Sequence, residues 1–239
     1  MLLTTAFCPP IEYFAVLARY SVVYIEACES YQKQSWRNRC RILSANGPLD
    51  LSFPVIHASP PKTAGLPSSG VPSSDDPSAN LPSTGVLSSD HPSANLPSSD
   101  RLITNIKIEY TTPWVPKMQK AIDSAYDSSP FFEFYRDEFY AILDSKPETL
   151  WELNMQIINW LCSKIGITPE IKPTSGFAPE AEEDYRELIH PKRPNDIMKQ
   201  LGLERPYWQV FGQKFGFVSG LSVLDLLFCK GPESILWLK

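Results

Sequence analysis

The chain has 239 residues, 43% of them hydrophobic, and its 22 basic against 27 acidic side chains give a net charge of −5. That apolar share supports a substantial core, while the acidic balance offers no basic surface for nucleic-acid phosphates, so no nucleic-acid partner is expected. No apolar run reaches the roughly 20 residues that cross a bilayer, and the opening MLLTTAFCPP lacks the features of a signal peptide, so no membrane span and a cytoplasmic location are expected.

LLTTAF at 2–7 reads as a short strand. PPIEYFAVLARY places Ile11, Phe14, Ala15 and Leu17 at helical spacing behind a proline pair, and SVVYIEA is a second strand. This βαβ opening predicts a parallel pair under a packed helix, with ligands gathering beyond the strand ends, near residues 7–10 and 26–30. Glu12 and Glu26 are expected near that end, and either could be a general base. A first-turn carboxylate at a helix N-terminus also explains Glu12 without any function.

A dense polar cluster follows, YQKQSWRNR at 31–39. Arg offers a planar fork to carboxylate or phosphate, amides donate and accept, and Tyr or Trp stack on a sugar or base. An anionic, sugar-bearing ligand would suit this set. A solvated loop whose arginines pair with the acidic surplus is the plainer alternative.

Residues 50–57 and 101–110 have the alternation and β-branched content of paired strands, so the tract between them sits at a strand connection. Within it, LPSSGVPSSDDPSAN at 66–80 repeats as LPSTGVLSSDHPSAN at 81–95, twelve of fifteen positions matching. Such Ser, Pro, Asp and Gly content cannot bury enough apolar area to offset ordering entropy, about 1–2 kcal/mol per residue, so 58–101 is expected to be a disordered insert in a single domain spanning 1–239.

The second half reads as mainly helical. A helix is predicted from Trp114 to Ala125, and Ser129 with Pro130 starts another through FFEFYRDEFYAIL. Leu150, Leu153, Ile157, Ile158 and Leu161 form an apolar stripe stopped by Gly166. ITPEIKPT is a short strand or extended segment, helices are predicted at 205–215 and 222–229, and ILWLK docks. The fold class is therefore α/β: a βαβ opening and small mixed sheet, then a mainly helical half.

The five cysteines are widely spaced without a CxxC, which argues for free, mostly buried thiols and against a metal site. No cofactor is expected, since phosphate-cradling glycine loops, GxGxxG, HExxH and GxSxG are all missing. His190, in the polar stretch ELIHPKRP, is the remaining candidate acid or base. Asp225, among apolar residues in SVLDLLF, needs a partner, and pairing with an arginine is expected.

PPIEYF at 9–14, YQKQSWRNR at 31–39, LSFPV at 51–55 and WVPK with IDSAYDSSPFF at 114–132 resemble the WbqC-like family. The later RELIHPK at 186–192 and YWQVFGQKFGFVSGLSVLDLLFCKGPES at 207–234 are similar to its Bacteroidetes-type members. The family occurs in O-antigen and related gene clusters. The resemblance thus implies work on surface-polysaccharide precursors, with transfer of an acyl or aminoacyl group to an amino sugar as the expected reaction and a nucleotide-sugar or acyl donor as the ligand. A nucleotidyltransferase-like enzyme, or a non-catalytic binding or assembly protein of the same pathway, stays open. Carried over residue by residue, the motifs point to Glu12 as a catalytic candidate, beside the His190 already singled out in its polar loop. The matching substrate-binding candidates are Tyr31, Lys33, Gln34, Trp36, Arg37, Asn38, Arg39, Arg186 and Asp225, with Tyr13, Trp114, Tyr126 and Lys192 as further motif positions. Many relatives carry a His four residues beyond the Trp that matches Trp114, where this chain has Met118.

Overall fold

A computed structural model describes residues 1–56 and 101–239. The repeat tract and the disorder expected for it lie outside the described residues, apart from Arg101.

A parallel sheet organises the first half. Strand β1 (Leu2–Thr4) pairs with the central β2 (Val22–Glu26), which pairs on its other edge with β7 (Glu170–Pro173). Helix α1 (Ile11–Leu17) makes the crossover from β1 to β2, and all seven of its residues are buried. It is apolar almost all round, as a helix covered on every side must be, so its single carboxylate, Glu12, is placed among packed side chains.

The segment after β2 makes one turn of 3₁₀ helix at Trp36–Asn38 and enters an antiparallel hairpin of β3 (Arg39–Ser44) and β4 (Gly47–Ser52). Its two-residue loop, Ala45 and Asn46, is closed by the Ser44 hydroxyl on the Gly47 carbonyl at 2.8 Å, and Gly47 takes φ 103°. The expected pairing across the insert exists but is short: β5 (Val55–Ile56) meets β6 (Lys107–Ile108), while Leu49–Ser52 are used by the hairpin.

Helices α2 (Trp114–Tyr126), α3 (Phe132–Asp144) and α4 (Leu150–Ile165) build the main core. α4 opens with a reciprocal cap between Thr149 and Glu152 and ends on Gly166 at φ 80°. Leu150, Leu153, Ile157, Ile158 and Leu161 are fully buried, as their spacing predicts. Helix α3 begins two residues later than Pro130 because the Ser129 hydroxyl donates back to the Tyr126 carbonyl at 2.7 Å and closes α2 instead of capping α3. The helix predicted at 205–215 shrinks to α6 (Gly212–Phe215), since Tyr207 and Gln209 turn inward to Asp225. Between β7 and α6 stands the short α5 (Ile197–Gln200). Helix α7 (Val223–Lys230) runs into a 3₁₀ stretch at Gly231–Trp237, and Leu238 docks in the core. All five cysteines are free and four are buried. Among the described residues no helix is long and apolar enough to cross a membrane.

Candidate functional site

Three chain segments meet over the start of α1. Ile11 N–H donates to the Leu221 carbonyl at 3.1 Å, Val223 N–H to the Pro9 carbonyl at 2.8 Å, and Ser222 N–H to the Arg41 carbonyl at 2.7 Å. The Ser222 hydroxyl adds a bond to the Cys8 carbonyl at 2.8 Å. These bonds hold Ser219 and Gly220 over Glu12 and set β3 beside them. From the other side comes the loop after β7. It is tied to the edge of β1 by Leu2 and Tyr185 backbone bonds and anchored inward by buried Ile189 and Ile197.

The result is a cavity of about 340 Å³ lined by Pro10, Glu12, Trp36 and Arg41, by 190–195 of the loop, and by Ser219 and Gly220. Glu12 is 8% exposed, and its Oε2 has no hydrogen-bond partner among the described residues. Burial raises its carboxyl above the ordinary carboxylate range, outweighing the lowering effect of its own backbone N–H. Arg41 shares Asp50 with Arg39, Nε to Oδ1 at 2.7 Å and Arg39 Nη1 to Oδ2 at 3.4 Å. One carboxylate between two guanidiniums leaves a positive charge at this wall. Among the described residues Lys192 Nζ reaches the neutral Gln34 amide, while Arg193 is paired with Glu187 at 2.7 Å.

Burial first, and Arg193 next, lower the His190 imidazole below its ordinary value. Its Nδ1 accepts from the Lys192 backbone N–H at 3.2 Å, so the neutral ring carries its proton on Nε2. The ring is therefore a donor, and Glu12 is the group with basic capacity. A buried carboxylate of raised pKa that lines one cavity with arginine, lysine and an N–H donor has the makings of a proton-transfer site for an anionic ligand.

The two catalytic candidates, Glu12 and His190, line this cavity, and so does Trp36, over which Arg41 lies at 5.6 Å. Lys192 joins them and holds Gln34, which sits at φ 58°. The remaining sequence candidates are placed elsewhere. Arg37 is 3% exposed and forms a two-pronged pair with Glu29, Nε to Oε1 at 2.9 Å; burial raises the Glu29 carboxyl against the lowering pull of Arg37. Asn38 donates to the Phe53 carbonyl at 2.7 Å, and Arg39 lies on the hairpin with Asp50. Lys33 is exposed and Tyr31 is half-buried. Arg186 bonds Asp184 and reaches Glu26 at 3.1 Å, where Thr174, Cys28 and Ala178 also donate to the Glu26 carboxylate. Asp225 has tyrosine and glutamine partners in place of the expected arginine: Tyr126 at 2.9 Å, Tyr207 at 2.6 Å and Gln209 at 3.0 Å. Met118 is buried in the core face of α2.

Arg41, Arg193, Asn195, Ser219 and Gly220 escaped the sequence reading. Asn46-Gly47 is a hairpin turn signal, and a hairpin there would have put Arg41 on the same strand face as Arg39.

A second cavity of about 140 Å³ adjoins the first through Glu12, Asn195, Ser219 and Gly220, its inner wall formed by Ile11, Met198, Leu203, Tyr207, Phe217 and Trp237.

A family model for the WbqC-like proteins matches residues 5–64 and 92–208. The chain belongs to the WbqC-like protein family. Among the curated proteins no significant match is found, and none among the solved structures. The family match takes in Glu12, Trp36, Arg41, His190, Lys192 and Arg193, and stops short of Ser219 and Gly220.

Proposed function

We propose that this WbqC-like protein is a transferase for surface-polysaccharide precursors that moves an acyl or aminoacyl group onto an amino sugar. The basic cavity holds the anionic part of the donor or the nucleotide-sugar, and Glu12 is the general base. The carrying observation is that Glu12, buried with an unpartnered oxygen, shares one cavity with Arg41, Lys192 and the His190 donor.

In this reading Arg41 and Lys192 neutralise phosphate or carboxylate, and the Nε2–H of His190 donates to a developing oxyanion. Glu12 takes a proton from the sugar amine as its nitrogen bonds to the acyl carbon. Desolvation suits Glu12 to the task because general-base efficiency is greatest when the pKa approaches the working pH. The family resemblance, with its link to surface-polysaccharide gene clusters, is what supports the choice of pathway.

The test is a thermal melt of the full chain with nucleotide-sugars, acyl donors and pyrophosphate, repeated with Arg41→Ala and Glu12→Gln. A ligand at a hundred times its Kd stabilises by about 2.7 kcal/mol, several degrees for a chain of this size. Stabilisation should vanish in Arg41→Ala and survive in Glu12→Gln, with turnover lost in the latter. A melt that no such ligand shifts would refute the reading.

A further inference from the structure

The geometry points to a second, apolar subsite that takes a short aliphatic acyl chain of about four to six carbons, opening from the basic cavity at Glu12. This rests on the transferase reading above and narrows its donor to a short-chain acyl carrier. The two cavities share the wall formed by Glu12, Asn195, Ser219 and Gly220, so one ligand can reach into both.

Beyond that wall the chemistry changes. Tyr207 meets Phe217 and Trp237 edge to face, at 5.2 Å and 6.2 Å between ring centres, and Met198 and Leu203 extend this apolar side, while the exposed Asp196, Lys199, Glu204 and Arg205 also line the space. The Tyr207 hydroxyl is committed to Asp225, which leaves the ring as an apolar wall. At about 140 Å³ the space is close to that of apolar cavities of about 150 Å³ that accept benzene, a six-carbon guest. Two of the three buried side-chain polar atoms without a partner among the described residues, Glu12 Oε2 and Trp237 Nε1, belong to residues lining it.

Placing the chain in the apolar subsite brings the acyl carbon to Glu12, which lines both cavities. The acceptor nitrogen bonds to that carbon, the bond to the carrier sulfur breaks, and the carrier leaves with the electron pair. The proton that Glu12 took from the nitrogen ends on the carrier thiol.

Binding of coenzyme A and its acetyl, butyryl, hexanoyl and decanoyl thioesters to the full chain, measured by calorimetry beside pyrophosphate, tests the subsite. Affinity should peak at butyryl or hexanoyl, at least tenfold above coenzyme A alone. Leu203→Phe should move the peak to acetyl, and Met198→Ala, at a half-buried position that tolerates truncation, should move it towards longer chains. Pyrophosphate binding should be unchanged in both variants. Equal affinity for all thioesters, with pyrophosphate still bound and lost in Arg41→Ala, overturns the acyl subsite and leaves the basic cavity standing. Failure of every thioester and of pyrophosphate to bind overturns both.

Discussion

The Glu12 carboxylate lies under Gly220: a Cβ on that glycine would stand 3.8 Å from Glu12 Oε1. Gly220 also sits at φ 69°, a conformation that side-chain-bearing residues adopt at a cost. The space itself is ordinary van der Waals contact, so strain and not a clash decides the outcome. Gly220→Ala should therefore lose about 1 kcal/mol of stability, read by urea denaturation, and should weaken ligand binding by narrowing the passage between the two cavities. A fully stable variant would show that this loop adjusts freely over Glu12.

Arg37 and Arg41 should separate cleanly. Arg37 and Glu29 are both nearly buried, so Arg37→Ala leaves an unpaired carboxylate in the core and should cost about 3–5 kcal/mol. Arg41 and Asp50 remain 34% and 31% exposed, and losing such a pair costs under about 1 kcal/mol. Arg41→Ala should thus keep its melting temperature while losing pyrophosphate binding at least tenfold. Calorimetry and a denaturant series on the two variants check this, and an Arg41→Ala protein that binds normally would remove the anion site from β3.

These two arginines also show how far sequence alone reaches. The βαβ opening, the α4 stripe and its Gly166 stop are legible because apolar spacing and capping residues act locally. Glu12 and His190 could be named for the same reason, as a carboxylate at a helix start and a histidine in a polar loop. Arginine residues, by contrast, look alike in sequence: Arg37 turns inward because Glu29 happens to meet it across the fold, and Arg41 faces the cavity through strand register. Neither Glu29 nor Asp50 advertises its partner. Gly220 reaches Glu12 only through long-range backbone bonds between 219–223 and 8–11, which no local pattern encodes.

Asp225 is expected to act as a structural hub. Its carboxylate, which burial holds above the ordinary range, accepts from the Tyr126 and Tyr207 hydroxyls and the Gln209 amide. Asp225→Ala strands these buried donors, each costing about 1–3 kcal/mol, so the variant should lose 3 kcal/mol or more in total. Tyr126→Phe removes one donor and leaves the carboxylate two others, and should cost about 1 kcal/mol. Denaturant midpoints for both variants would decide the matter; equal losses would mean that the Tyr126 hydrogen bond alone accounts for the effect and that Asp225 is not a hub.

Glu12 should leave a signature in the pH dependence of stability. Its folded-state pKa is raised by burial, so its favourable contribution is complete below the unfolded value of about 4.3 and is lost as pH rises through the folded value. Above that point the fold holds an ionised carboxylate that would be better solvated in the unfolded chain. Glu12→Gln removes this penalty while keeping the side chain's shape. The variant should therefore gain on the parent as pH rises from about 5 to 8, reaching about 1 kcal/mol, or roughly 2–4 °C in melting temperature. Glu29 and Asp225, also raised by burial, are present in both proteins and cancel in the difference. A gap between variant and parent that does not change with pH would mean that Glu12 stays charged and well compensated throughout, and would remove it as a general base.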